Sequence, residues 1–342
     1  MNLHQYIERD TGKIITEKLI GDRSVRLLYN PVREHAPTLF KALTSARMSS
    51  MLGWLHFDAG LERKQKKGAA LFAKMGVNWQ ECLDPPDYFD TPRKIFERQI
   101  RYWQVRPMEN DPRAVVSPAD ARVLIGSLEA TPELFIKEKF FSALELLGRG
   151  WGDTFHHGDF AVFRLTPDKY HYNHLPVSGK VIDIYELDGA YHSCNPAALV
   201  TMASVHAKNK RVVTIIDTDV ENGTGAGLVA MIEVVALMIG DIVQCYSRAI
   251  YEDPVPVRPG MFVKKGCPKS LYRPGSSTDI LLFQPGRMTF CDDLQRNVCR
   301  RDVQSRFSSR FSVPLAETDI KVRATVGRAE SRDGHQAGNA ER

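Results

Sequence analysis

The segment VKKGCPKSLYRPGSSTDILLF, residues 263–283, decides most of what can be predicted for this chain. Its Pro274-Gly275 pair is a turn signal, and the apolar run ILLF that follows is typical of a buried β-strand. Two adjacent serines, Ser276 and Ser277, lie between the turn and the strand. A turn needs only one small polar residue, so the second serine is either further turn chemistry or a reacting group.

The rest of the chain divides into regions of different composition. From residue 114 onward, short β-rich runs alternate with turns, which predicts a mainly antiparallel β domain. We therefore predict an α+β protein with a helical region over residues 1–105, a β domain over 106–290 and a basic, polar C-terminal extension over 291–342, whose end we expect to be disordered. In the helical region, four apolar residues recur at the spacing of one helix face: Met48, Met51, Leu52 and Leu55.

Bulk composition limits the classes of protein that are compatible with the sequence. The 342 residues are 43% hydrophobic, which is enough for a core, and the net charge of +5 permits attraction to an anionic surface. The chain has no glycine-rich nucleotide fingerprint and no nucleic-acid-binding motif, so we predict no nucleic-acid partner. The six cysteines form no CxxC pair, and the N-terminus lacks the apolar core of a signal peptide, which predicts an intracellular location.

The longest apolar run, residues 225–243, has Glu233 in its middle. A membrane-spanning helix would place this carboxylate near the bilayer centre, at a cost of about 2.5–3.5 kcal/mol. Two buried strands joined near Glu233 are therefore the better prediction.

Three dispersed residues have the side-chain types of an acid–base–nucleophile relay. Asp120 lies in SPADARV, His174 lies in DKYHYNHLPVSGKV, and Ser277 lies in the opening segment. Each also has a structural interpretation, because an aspartate can cap its own turn and paired histidines often serve polar packing. His171 and His174 are three residues apart, but no HExxH pattern and no third ligand at a usual spacing accompany them. We predict no metal site, and a zinc hydrolase built on this pair is the alternative.

Three segments, in this order, resemble motifs of the phosphatidylserine decarboxylase family. VVSPADARV is similar to the family's PADG segment, with Ala121 where glycine is usual. FRLTPDKYHYNHLPVSGKV is similar to a family stretch of the form FRLxxxDYHxxHxPVxGxV, and residues 263–283 resemble the segment from a KKG turn to a GST or GSS cleavage site. Weaker similarity in FERQIRYWQVRPM, NPAALVTMASVHAKNKRVV and MIEVVALMIGDI extends the resemblance over roughly residues 45–290, with Val235 in place of a glycine.

The resemblance implies a barrel-like sandwich for the β domain and a chain that cuts itself. In the family, a serine hydroxyl attacks the carbonyl of the preceding residue, β-elimination cuts the chain, and the serine becomes a pyruvoyl group at the start of the short chain. By similarity, His174 is the base for this attack and Asp120 orients that base. The pyruvoyl ketone then serves as the electron sink for decarboxylation, and His171 is the candidate acid that returns a proton to the substrate.

The choice between the two serines depends on how residues 263–283 are aligned with the family's cleavage motif. An ungapped count from the KKG turn against a GGST pattern makes Ser277 the nucleophile and future pyruvoyl group, and makes Ser276 the last residue of the long chain. A GSS-type count would choose Ser276 instead. We predict cleavage between Ser276 and Ser277, although a Cβ at residue 276 restricts the backbone that the attack must bend.

The resemblance also implies the substrate and the setting of the reaction. It implies conversion of phosphatidylserine to phosphatidylethanolamine and CO2 at an anionic membrane surface, with peripheral attachment at the inner face of the cell membrane through residues around 38–67. It further implies a homodimer and a long and a short chain that stay together. Two alternatives remain open: a decarboxylase of a free amino acid, aromatic ones included, and a non-catalytic relative used as a binding module, which the altered positions Ala121, Val235 and Ser276 motivate.

Overall fold

The computed structural model describes residues 3–19, 22–45, 47–48, 51, 76–128, 143–148, 150–202, 204–237, 241–275 and 277–330. Ser276 lies outside the described residues, and so do residues 52–75, which hold much of the predicted membrane-contact segment. The C-terminal end from residue 331 also lies outside them. The predictions for these residues stay predictions.

The described strands form one large sheet and two small ones. They are β1 (Gln5–Glu8), β2 (Ile14–Thr16), β3 (Ala114–Val116), β4 (Ala121–Ser127), β5 (Asp159–Leu165), β6 (Tyr172–His174), β7 (Gly179–Leu187), β8 (Arg211–Asp217), β9 (Leu228–Val235), β10 (Ile242–Gln244), β11 (Phe262–Val263), β12 (Pro268–Tyr272), β13 (Ser277–Phe283), β14 (Met288–Phe290), β15 (Glu317–Ile320) and β16 (Thr325–Ala329). The large sheet has the linear order β11-β7-β8-β9-β13-β5-β4-β15-β1-β2, and the small sheets have the orders β10-β12-β6 and β14-β16-β3. Only β1 and β15 pair in parallel among the described strands.

The described helices are short. They are α1 (Asp22–Leu27), α2 (Arg33–His35), α3 (Pro37–Leu43), α4 (Pro92–Phe96), α5 (Tyr102–Val105), α6 (Ala143–Leu147), α7 (Pro196–Leu199), α8 (Val205–Lys208), α9 (Asp292–Val298) and α10 (Arg306–Phe311), with a π turn at Leu28–Val32 and 3₁₀ turns at Trp79–Glu81, Pro86–Tyr88 and Asp153–Phe155. Local sequence explains the start of α4, because Thr91 caps it by accepting a bond from the Lys94 N–H at 3.3 Å and Pro92 occupies its first turn. No helix in the described ranges is long and apolar enough to cross a bilayer.

The predicted α+β class with a mainly antiparallel sheet is confirmed. The strands of the large sheet do not close into a barrel within the described residues. Two details differ from the sequence prediction. Strand β9 runs through Glu233 without a break, so the junction of the two strands comes after Val235 rather than near Glu233. The region predicted as helical also begins with the hairpin β1–β2.

Strand β13 lies in the middle of the large sheet and is hydrogen-bonded on both sides. Its register pairs Ser277 with Val235 of β9 and with Leu165 of β5. Successive side chains of a strand point to opposite faces, so Ile280 and Leu281 join different apolar clusters. Ser277 shares the face of Leu281 because the two are an even number of residues apart.

The small sheet β10-β12-β6 contacts this same face through a polar cluster. A β-bulge between Pro268 and Ser270 inserts Lys269 as an extra residue in β12. As a result, the consecutive side chains of Lys269 and Ser270 both reach the carboxylate of Glu233 on β9. A regular strand would have sent these two side chains to opposite faces.

The two ends of the chain are joined by a buried ionic cluster. Arg164 of β5 donates to Glu317 of β15 at 2.6 Å and to Glu17 at 2.7 Å, and the ring of His4 contacts Glu317 at 2.8 Å. Ligand atoms of His4, Glu17 and Glu317 lie close enough together to hold a metal ion, but the guanidinium already occupies both carboxylates. The C-terminal extension predicted over 291–342 is therefore part of the fold as far as Ala329.

Candidate active site

Ser277 is the first residue of the central strand β13. The residue is fully buried, and its Oγ makes no hydrogen bond with any described residue. Val235 and Leu165 flank it on the neighbouring strands and present apolar side chains. Buried polar atoms are almost always hydrogen-bonded, so a hydroxyl without a partner among the described residues is consistent with a reacting group at Ser277.

His174 is a neutral imidazole whose tautomer the structure defines. Its Nδ1 lies 2.9 Å from the carbonyl oxygen of Gly266, which can only accept, so Nδ1 carries the proton. Its Nε2 is therefore the bare nitrogen, and the hydroxyl of Tyr170 donates to it at 3.0 Å. Burial lowers the pKa of His174 to about 3, which keeps the ring uncharged at neutral pH.

Gly266 in the KKG turn provides the carbonyl that orients His174. Its φ of +73° is in the left-handed region, where glycine carries no Cβ penalty. A Cβ at this position would also collide with the sulfur of Met108 and crowd Arg323. The backbone geometry that brings the Gly266 carbonyl oxygen to His174 Nδ1 therefore requires glycine at this position.

Asp120 lies next to His174 in the fold but does not hydrogen-bond to its ring. The Pro118 carbonyl two residues before Asp120 accepts from the His174 backbone N–H at 2.7 Å. The Asp120 carboxylate instead pairs with Arg106 at 2.7 Å and accepts from the Val322 backbone N–H at 2.8 Å. Burial opposes ionisation of Asp120, but the Arg106 charge outweighs it and holds the pKa of Asp120 below its usual value.

His171 is buried against an aromatic ring. It stacks on Phe96 with ring centroids 3.5 Å apart. Burial, together with the nearby Arg98 charge, lowers the pKa of His171 well below its usual value. The protonated form of His171, which would be its most effective acid form, is therefore disfavoured.

A buried ion pair lies on the Ser277 face of the large sheet. Oε2 of Glu233 accepts from Lys269 Nζ at 2.5 Å and from Gln244 Nε2 at 3.1 Å. Oε1 of Glu233 accepts from the Ser270 hydroxyl and from Asn173 Nδ2 at 3.3 Å. The side chains of Glu233 and Lys269 have no exposed surface. A fully buried ion pair needs both opposite charges and a hydrogen-bond partner for each polar atom, because a buried charge without a partner is costly.

Asp279 lies directly opposite Glu233 and two residues along β13 from Ser277. The Tyr272 hydroxyl is 2.8 Å from its Oδ1, and its Oδ2 has no hydrogen-bond partner among the described residues. Burial first and the Glu233 charge second raise the pKa of Asp279 well above its usual value. The protonated form of Asp279 is therefore favoured.

The sequence motifs contain Ser277, His174, Asp120 and His171, but they do not indicate the charged residues near Ser277. The three residues that carry the buried charges or the neutral acid are Glu233, Lys269 and Asp279. Each of the apolar runs LVAMIEVV and STDILLF contains one ionisable residue. A charge in a strand buried on both faces requires a partner, so these two residues could have indicated the buried cluster from the sequence.

Comparisons with known proteins agree on one family. A sequence model of the phosphatidylserine decarboxylase family matches residues 93–301, more than half of the chain. A proenzyme of this name from Fusobacterium nucleatum is 28% identical over 304 residues, which cover 86% of this chain and 91% of the relative. One from Chlamydia trachomatis is 31% identical over 292 residues, covering 84% and 90%. One from Chlamydia pneumoniae is 27% identical over 299 residues, covering 87% and 92%.

These matches, together with the α+β fold, define the class of protein as a carboxy-lyase. The chain belongs to the phosphatidylserine decarboxylase family. The resemblance that the sequence motifs indicated is thus confirmed. The roles of the individual site residues remain predictions.

Proposed function

We propose that this chain cuts itself before Ser277, turns Ser277 into a pyruvoyl group and then converts phosphatidylserine to phosphatidylethanolamine and CO2. The Ser277 hydroxyl carries the proposal, because it is buried, unpartnered among the described residues and located at the first position of the central strand. A nucleophile without competing hydrogen bonds is free to attack the preceding carbonyl. The names of the curated relatives support both the precursor form and the phospholipid substrate.

The cleavage rearranges the chain's own bonds and uses one water molecule. The Ser277 Oγ gives up its proton and bonds to the carbonyl carbon of residue 276, while the C–N bond breaks and the nitrogen of residue 277 takes a proton. A base then removes the Cα proton of residue 277, and the Cβ–Oγ bond breaks, which releases residue 276 as a carboxylate. Water replaces the nitrogen of the remaining dehydroalanine, ammonia leaves, and a pyruvoyl group begins the short chain.

His174 is the base that we propose for the hydroxyl proton, and its low pKa requires the charge formed on the ring to be stabilised as the proton moves. Gly266 fixes the proton on Nδ1, so Nε2 has the lone pair that a base needs. Nε2 accepts from Tyr170 in this structure and must exchange that bond for one from the serine hydroxyl. Asp120 acts less directly, by holding Arg106 and the turn at Val322 beside the histidine.

The residues around position 277 fit a pyruvoyl group. When present, that group supplies a ketone that withdraws the electrons left when CO2 departs from a bound amine substrate. The apolar side chains of Val235, Leu165 and Phe163 line the flanking strands on the same face and exclude water from this position. Self-processing would remove the Ser277 Oγ, and this atom has no hydrogen-bond partner among the described residues.

We expect His174→Gln to slow self-cleavage by about 100-fold or more, because glutamine keeps the polarity of the side chain but cannot take the proton. Asp120→Asn should slow it less, since Gly266 rather than Asp120 bonds to the imidazole. A time course of intact mass after cell-free synthesis measures both rates. Asp302→Asn, an exposed substitution of the same kind, serves as the control. Cleavage at the normal rate in both His174→Gln and Asp120→Asn would refute the relay.

We also propose that the enzyme works at a membrane surface, because its lipid substrate lies there. The net charge of +5 supports attraction to anionic lipid. In the N-terminal helices, Leu27 is 60% exposed and Leu39 is 51% exposed, and Lys41 lies close in sequence to Leu39. Exposed apolar side chains beside cations are typical of peripheral contact with a bilayer. We therefore propose peripheral attachment on the cytoplasmic side.

We expect the purified protein to float with phosphatidylserine vesicles and to release CO2 from them, but to release none from free tryptophan. Flotation should weaken as the salt concentration rises, because screening reduces electrostatic attraction to the surface. CO2 release from tryptophan alone would support the amino-acid decarboxylase instead. A protein that releases CO2 from neither substrate and reacts with no carbonyl-trapping reagent would be the non-catalytic relative.

A further inference from the structure

Asp279 is a buried carboxyl group that takes no part in the self-cleavage described above. It shares the Ser277 face of β13 and is the next side chain along on that face. Its cross-strand neighbours are Glu233 on β9 and Phe163 on β5. Directly opposed residues of paired strands have Cβ atoms about 4.5–5.5 Å apart, so two carboxyl groups face each other beneath residue 277.

The arrangement of hydrogen bonds around Tyr272 favours a proton on Asp279. Tyr272 has a single hydroxyl proton and two acceptors within reach, the Thr278 carbonyl oxygen at 3.1 Å and Asp279 Oδ1 at 2.8 Å. The Val234 N–H already donates to the same hydroxyl oxygen. One hydroxyl proton serves one acceptor best, so both contacts are best met when Tyr272 donates to the carbonyl and a protonated Asp279 Oδ1 donates to Tyr272.

The charges of the cluster lead to the same conclusion. Glu233 is matched by Lys269, and Gln244 bonds to both of them. A second carboxylate at Asp279 would leave one unmatched negative charge in a fully buried site, which is strongly unfavourable. The groups that face Asp279 from the packed strands are thus one anion, one cation, the Tyr272 hydroxyl and the apolar Phe163.

We propose that Asp279 is the proton donor of the decarboxylation. Loss of CO2 from a carboxylate breaks a C–C bond and leaves an electron pair on carbon, so each turnover must deliver one proton to that carbon. Asp279 gives up its proton there, becomes a carboxylate, and takes a new proton from solvent before the next cycle. This inference rests on the proposed function.

Three other candidate groups are less suited to this task. Burial keeps both His171 and His174 neutral, so neither is charged as an imidazolium at neutral pH. The proton of Lys269 is held in its ion pair with Glu233. Asp279 combines a favoured protonated form with a place on the Ser277 face of β13, one side chain along from residue 277. That combination is what a general acid requires, and related cases keep a carboxyl group neutral by burial.

The first test looks for the proton directly and needs no active enzyme. In full-length Ser277→Ala protein at neutral pH, infrared spectroscopy should show a carboxylic-acid C=O band. The band should be lost in Ser277→Ala/Asp279→Asn and kept in Ser277→Ala/Asp302→Asn, whose altered residue is exposed. If Asp279→Asn does not fold, Asp279→Leu takes its place. An acid band that is unchanged by either substitution, or no band at all, overturns the proposal.

The second test separates proton delivery from processing. Asp279→Asn should cleave itself normally by intact mass and react normally with a carbonyl-trapping reagent, while its kcat for decarboxylation falls by about 100-fold or more. KM should change little, because the substitution preserves shape. His171→Gln is the comparison, since the family resemblance assigns the acid role there. Normal kcat in Asp279→Asn, with kcat lost in His171→Gln, overturns the proposal.

Failure of the proposed function and failure of the Asp279 role give different experimental results. Wild-type protein that neither cleaves nor decarboxylates refutes the proposed function, and the infrared result then still reports whether Asp279 is protonated. Wild-type protein that cleaves and decarboxylates, together with fully active Asp279→Asn, refutes only the role of Asp279.

Discussion

Ser277→Ala is expected to remain a single chain of 342 residues without decarboxylase activity. The loss should be complete rather than partial, because the hydroxyl is both the nucleophile of cleavage and the source of the pyruvoyl group. The fold should survive, since alanine removes a buried oxygen that has no hydrogen-bond partner among the described residues. Intact mass, a carbonyl-trapping reagent and CO2 release measure the three parts of this prediction.

The adjacent serine provides the matched control. Ser276→Ala should still cut, because residue 276 contributes only its carbonyl group to the reaction. If Ser277→Ala is processed at the normal rate and Ser276→Ala stays whole, the nucleophile is Ser276 and the cut lies one residue earlier. This pair of variants therefore decides between the two ways of counting the GSST segment.

Lys269→Met is expected to lower the free energy of unfolding by about 3–5 kcal/mol, because it leaves the Glu233 carboxylate buried without its cation. Methionine has a similar length and packs in apolar surroundings, so lost volume contributes little. Urea unfolding measures the effect, and the Ser277→Ala background is used because that protein stays a single uncut chain.

The ion pair of Lys321 and Asp10 offers the matched control. Its N–O distance is 3.0 Å, but both side chains are more than half exposed. Lys321→Met should therefore change the free energy of unfolding by about 1 kcal/mol or less. The double variant Lys269→Met/Glu233→Gln removes both buried charges and should recover part of the loss. Equal effects of Lys269→Met and Lys321→Met would contradict the buried pair.

Much of the fold could be predicted because it depends on local patterns. Turn residues and β-rich runs after residue 114 indicated the antiparallel sheet, and the STDILLF run indicated strand β13. The motifs also indicated Asp120, His174 and Ser277 as candidate site residues. The sequence did not predict that strand β1 would pair with strand β15, since partners more than 300 residues apart leave no local pattern.

The arrangement of the candidate site residues was only partly predictable for the same reason. Asp120 was expected to orient His174, but Arg106 holds its carboxylate and Gly266 takes the position on Nδ1. Both partners depend on how distant segments meet. The convergence of Glu233 and Lys269 depends on a β-bulge that places two consecutive side chains on one carboxylate. Strand periodicity alone predicts that these side chains point in opposite directions.

Intact mass of the purified wild-type protein tests the central claim most directly. Self-cleavage before Ser277 predicts two chains, residues 1–276 and residues 277–342, with the short chain beginning in a pyruvoyl group. The short chain supplies strands β13 and β15, which are hydrogen-bonded to strands of the long chain, so the two chains should copurify. A decarboxylating sample that contains only one uncut chain would contradict the claim.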